Sequence, residues 1–106
     1  MVVLFDQGTP APLRQLLPQH TIATAYERGG SILKNGELLQ TAEAAGFTVL
    51  VTTDTNLKYQ QNLSARRIAI VVLSTTSWPR IRTAAQQIAT AIVGASVRSY
   101  AEVRIP

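Results

Sequence analysis

The sequence predicts an α/β protein, a three-layer α/β/α sandwich with a mostly parallel central sheet. Three observations carry this. Residues 2–5 and 68–73 are continuous apolar runs and 47–53 is a strand-like run of apolar residues and threonines, the pattern of strands covered on both faces rather than on one. Between and after them lie segments with apolar residues at helical spacing, Leu38, Leu39, Ala42 and Ala45 in one and Ile81, Ala84, Ala85, Ile88 and Ile92 in the other. The chain has 106 residues and an apolar fraction of 46%, which suits one domain spanning 1–106.

Taken in order, the first strand is Val2–Phe5, ended by Asp6-Gln7-Gly8. Thr9-Pro10 signals a helix start, with Thr9 as cap and Pro10 preset for the first turn. Leu13, Leu16 and Leu17 form its apolar face and Pro18 ends it. Residues 21–26 suit a second strand, and 27–34, containing Gly29-Gly30, read as a loop. Asn35 caps the next helix and Gly46 closes it. Residues 47–53 are the best strand in the chain, ending in Asp54. A short helix is expected at 56–63, then a strand at 68–73. Ser77 caps the last helix with Pro79 in its first turn, Gly94 stops it, and 100–105 add an edge strand with Glu102 and Arg104 outward. The order is βαβαβ(α)βαβ, with right-handed crossovers.

Composition removes several chemistries. There is no cysteine, hence no disulfide, thiol nucleophile or zinc-thiolate site. The one histidine, His20, rules out a histidine-rich metal site and has no nucleophile-elbow pattern to serve. No segment reaches the roughly 18 apolar residues of a membrane span, and no basic leader precedes an apolar stretch, so a cytoplasmic protein is expected. Ten Lys and Arg against six acids give a net charge of +4, which suits a polyanion such as RNA.

The informative acids are Asp6 and Asp54, each closing a strand-like run. On neighbouring parallel strands both carboxylates reach the carboxyl edge of the sheet, where ligands of open α/β sheets bind. Strands lie about 4.8 Å apart, so two such carboxylates can share one hard cation, Mg²⁺ or Mn²⁺, completed by waters. The competing reading makes each aspartate a turn or helix cap. Glu37, in the first turn of its helix, is either a third metal-facing carboxylate or a favourable charge at the helix dipole. Asn35, Thr52, Asn56, Lys58 and Ser74 surround the same edge and are candidate substrate-binding residues. Glu27 and Glu43 read as solvated charges. Arg66, Arg67, Arg80 and Arg82 offer a basic rim for an RNA backbone, and Tyr59 and Trp78 offer stacking surfaces for bases.

Leu4-Phe5-Asp6, then Asn35-Gly36-Glu37-Leu38-Leu39-Gln40-Thr41-Ala42, then Val49-Leu50-Val51-Thr52-Thr53-Asp54-Thr55-Asn56, resemble the PIN-like domain family, particularly its short bacterial members. The resemblance runs from Val2 to about Leu73, and the Thr-x-Asp end of the third strand is its most specific part. It implies a divalent-metal ribonuclease site in a three-layer fold, in a family with many toxins held by neighbouring antitoxins. Asp6 matches the family's first acid and Asp54 its acid in Thr-x-Asp. The family's helix-start acid is replaced here by Asn35, with Glu37 two residues on, and Asn56 stands where relatives often carry another acid.

Two functions follow as expectations. One is a Mg²⁺- or Mn²⁺-dependent endoribonuclease using Asp6, Asp54 and Glu37, in toxin–antitoxin form if an antitoxin partner exists. The other is a catalytically weak PIN-like module that binds RNA or protein, motivated by Asn35 and Asn56. A receiver-like or nucleotide-binding domain ranks last, since Gly29-Gly30 lacks dinucleotide-fingerprint spacing. A homodimer through the last helix and edge strand is a further expectation.

Overall fold

The structure, a computed structural model, describes residues 2–27, 35–57, 66–96 and 99–106. Five strands form one sheet: β1 (Val2–Phe5), β2 (Thr21–Thr24), β3 (Val49–Thr52), β4 (Ala69–Leu73) and β5 (Tyr100–Val103). Their order is β2-β1-β3-β4-β5 and every pairing is parallel. Around them lie a 3-10 helix (Ala11–Leu16), α1 (Asn35–Ala44), α2 (Trp78–Thr83) and α3 (Ala85–Val93). Among the described residues no helix is long and apolar enough to cross a membrane.

Alternate strand residues build the two cores. Val3, Phe5, Val49, Val51, Val71 and Leu73 point to one side, where Leu13 and Leu17, Ile81 of α2, and Ile88 and Ile92 of α3 cover them. Leu4, Leu50, Ile70 and Val72 point to the other, covered by Leu38, Leu39 and Ala42 of α1. All five residues of β4 are buried, which is why its sequence is unbroken Ala-Ile-Val-Val-Leu. The expected three-layer α/β/α sandwich is therefore the architecture found.

Local differences have local causes. The first helix is 3-10 with Pro10 at its N-cap position, and the Thr9 hydroxyl turns back to Asp6 instead of capping it. Leu16 is 41% exposed, and Leu17, with non-helical φ −128° and ψ 56°, turns inward beyond it. Ala45 is exposed because α1 ends at Ala44. Gly46 adopts φ 88°, the left-handed conformation that favours glycine after a helix. The expected single last helix is two: the Ala84 N–H donates to the Ile81 carbonyl at 2.9 Å, and this tight turn separates α2 from α3 while both keep their isoleucines inward. Ser77 occupies the N-cap position of α2 without a side-chain cap bond. The expected helix at 56–63 and the Gly29-Gly30 loop lie largely outside the described residues.

The strand order fixes where a ligand site can form. From β1 the chain crosses to β2 on one side, then returns past β1 to β3 on the other. Connections therefore diverge between β1 and β3, and such a switch point opens a crevice at the carboxyl ends of the two strands.

Candidate functional site

Asp6 and Thr52 lie at these carboxyl ends. Parallel pairing sets Phe5 opposite Val51, so the next residues, Asp6 and Thr52, project to the same side. The Asp6 N–H donates to the Val51 carbonyl at 3.1 Å, which carries the register one step past the strand end. Asp6 is only 6% exposed. Its Oδ1 accepts from the Thr9 hydroxyl at 2.7 Å, and its Oδ2 accepts a short hydrogen bond from the Thr52 hydroxyl. Thr9 Oγ1 also lies 3.0 Å from the Val51 carbonyl, tying the Asp6 turn to β3. Both donors are neutral. Among the described residues no Lys, Arg or His pairs with Asp6.

Thr52 joins the two acids. While its hydroxyl donates to Asp6, it accepts the Asp54 backbone N–H at 3.0 Å. Asp54 is half-buried, and its Oδ1 accepts the Asn56 N–H at 3.0 Å, the geometry of an aspartate capping a turn. The capping reading of Asp54 thus holds for one oxygen. Asn56 is exposed and enters through its backbone.

Between Asp6 and Thr53 sits Gly8. A Cβ added to Gly8 would lie 2.5 Å from Thr53 Oγ1 and 3.8 Å from Asp6 Oδ1. Gly8 is therefore required by close approach rather than by backbone conformation. Gly8, Thr9 and Thr53 were not among the site residues expected from sequence. Thr9 carried a signal, a threonine three residues after a strand-ending aspartate, which competes with its helix-cap reading.

The remaining candidates divide. Glu37 lies exposed in the first turn of α1, and among the described residues no three His, Cys, Asp or Glu side chains converge as a metal-holding group. Asn35 is the first residue of α1, and its side chain lies outside the described residues, as do Lys58 and Tyr59. Ser74 sits at the carboxyl end of β4, but its Oγ accepts the Ile105 N–H at 2.8 Å and so anchors the chain after β5. Trp78 packs against the core beside α2 and α3.

Of the two acids read as solvated charges, Glu27 is exposed and Glu43 is partly buried. Glu43 accepts the N–H groups of both Arg67 and Ile68 and pairs with Arg66 at 3.2 Å. Burial pushes its carboxyl up, but those N–H groups and the Arg66 guanidinium outweigh this and hold it below its ordinary value. Glu27 pairs with Arg14 at 2.8 Å and accepts the Thr24 N–H. Arg80 is turned to the chain end, donating to the carbonyls of Ile105 and Pro106. The expected basic rim therefore loses Arg66 and Arg80 to internal contacts, while Arg82 is exposed. Neither ring nitrogen of His20 has a hydrogen-bond partner, so no carboxylate orients it as a triad histidine. A cavity of about 890 Å³ opens at the opposite, amino edge of β3 and β4, lined by Glu43, Phe47, Thr48, Arg67 and Ser96 among others. It borders none of the residues expected in the site.

The donor types at the carboxyl edge, carboxylates and hydroxyls, are those a hard cation takes. Mg²⁺ commonly takes one or two carboxylates and keeps waters for the rest of its shell. Asp6, a buried carboxylate whose described side-chain donors are neutral, and Asp54, which follows the carboxyl end of β3, are the residues that would hold one. Comparison with family models, with curated proteins and with solved structures finds no match for this chain.

Proposed function

We propose that the crevice between β1 and β3 is the centre of a metal-dependent endoribonuclease of the PIN-like type. The observation that carries the reading is Asp6, a carboxylate 6% exposed that receives two hydroxyl donors and no described cationic partner. A buried charge is costly unless paired, and a divalent cation is the partner that two carboxylates at one sheet edge favour. Asp6 and Asp54 would hold Mg²⁺ or Mn²⁺, with Thr9 and Thr52 fixing the Asp6 carboxylate. When bound, such an ion polarises a scissile phosphate and lowers the pKa of an attacking water, leaving a 5′-phosphate and a 3′-hydroxyl. The net charge of +4 favours an RNA substrate.

The binding-module alternative is favoured by two observations. One Asp54 oxygen caps the Asn56 N–H, and Glu37 joins no group of three acids among the described residues. A toxin role, an antitoxin partner and a cytoplasmic setting come from the resemblance and the sequence. A small neighbouring reading frame whose product co-purifies with this chain would support the toxin role.

The deciding experiment titrates Mn²⁺ and Mg²⁺ into the wild type and Asp6→Asn by calorimetry, with labelled single-stranded RNA cleavage on the same samples. Saturable binding and cleavage that both vanish in Asp6→Asn are the expected result. A wild type that binds RNA without metal and leaves it intact selects the binding module. Asp54→Asn is expected to lose cleavage while keeping the wild-type unfolding midpoint. Undiminished cleavage there removes Asp54 from the site.

A further inference from the structure

Thr53 is a half-buried residue directly after the carboxyl end of β3, and its hydroxyl has no hydrogen-bond partner among the described residues. Its neighbours differ in this respect, since Thr9 and Thr52 both donate to Asp6. The Thr53 hydroxyl is seated over Gly8, in the place a side chain at that position would take. The point where a Gly8 Cβ would stand is 2.5 Å from Thr53 Oγ1 and 3.8 Å from Asp6 Oδ1. Thr53 Oγ1 and Asp6 Oδ1 therefore both lie close to Gly8. A carboxylate repels an anionic phosphate and serves it only through a cation, whereas a hydroxyl without an internal acceptor donates to a phosphate oxygen directly.

We propose that Thr53 is the substrate-positioning residue of the crevice, donating its hydroxyl to a non-bridging oxygen of a single-stranded RNA phosphodiester, and that Gly8 is glycine to keep that hydroxyl in place. The proposal rests on the reading that RNA enters this edge. It assigns Thr53 to the phosphate and leaves cation affinity to Asp6 and Asp54.

The test uses the full chain and a fluorescein-labelled single-stranded RNA, with binding measured by anisotropy with EDTA and with Mn²⁺, and Mn²⁺ affinity measured separately by calorimetry. Thr53→Val removes the hydroxyl at nearly constant shape and is expected to weaken RNA binding about ten-fold or more. Mn²⁺ affinity stays at the wild-type value, and Thr53→Ser restores RNA binding. Gly8→Ala forces the Thr53 side chain aside and is expected to weaken RNA binding in the wild-type background, but to add nothing in the Thr53→Val background. Urea midpoints of all variants separate loss of fold from loss of binding.

Thr53→Val binding RNA as tightly as the wild type overturns the proposal and leaves the nuclease reading standing. Equal losses from Gly8→Ala in both backgrounds overturn the role given to Gly8. Loss of RNA binding in Thr53→Val, in a wild type that binds RNA but no Mn²⁺, upholds Thr53 and overturns the metal reading. A wild type that binds no RNA overturns both.

Discussion

At the scale of single residues, two threonine hydroxyls serve the Asp6 carboxylate. Thr52 is the clearest case, because its hydroxyl is donor to Asp6 and acceptor from the Asp54 N–H. Thr52→Val leaves a buried carboxylate oxygen without its donor and is expected to cost about 1–3 kcal/mol in urea unfolding. Glu43 behaves differently because its carboxyl is held below its ordinary value of 4.5. Its stabilising contribution is complete above that value and is lost as pH falls through the lower native one. Glu43→Gln should therefore be less stable than the wild type near neutrality. The gap between the two should close as unfolding is followed from pH 5 downward. A gap that stays constant across that range would remove the carboxylate from the anchoring of Arg67 and Ile68.

At the scale of elements, helix ends rather than helix bodies decided what was readable. Gly46 was legible as a stop because a left-handed residue after a helix is nearly always glycine. At φ 88° a Cβ there would meet nothing within 4 Å, so Gly46→Ala is expected to cost about 1 kcal/mol, all of it conformational. Calorimetric unfolding of that variant measures the backbone term alone. β1 and β4 were legible from unbroken apolar runs and β3 from its Val-Leu-Val centre, and with β1 and β3 came the placement of Asp6 and Asp54 just beyond strand ends. The division of the last helix at Ala84 was not, because Ile81, Ala84, Ile88 and Ile92 keep a helical spacing across the break and all are buried. Nor were the roles of Thr9, Thr53 and Gly8. Each depends on Phe5 standing opposite Val51, a register that exists only once two distant segments pair. Glu43 was misread for the same reason, since its backbone partners lie more than twenty residues further along.

At the scale of the whole molecule, the sheet is a partition. Ile70 belongs to the α1-side core and Ile88 to the other. The two clusters share no members, and contacts that share no partners contribute independently. Ile70→Val and Ile88→Val are each expected to cost about 0.5–1.5 kcal/mol, and the double variant their sum to within about 0.5 kcal/mol. A larger discrepancy in urea unfolding would mean that the two layers communicate through β4.

The position of β1 has a consequence for synthesis. The earliest of the five strands in chain order is an interior one, flanked by β2 and β3, and Asp6 lies 46 residues before the threonine that donates to its Oδ2. On the ribosome, β1 can meet β2 while Thr52 is still to be added, so through that interval Asp6 keeps water where Thr52 will stand. Non-local parallel pairing is slow to form, and the crevice belongs to that late step. A nascent chain arrested before residue 49 carries Asp6 yet lacks the strand that supplies Thr52, so the Asp6–Thr52 pair forms only in chains whose β3 has docked.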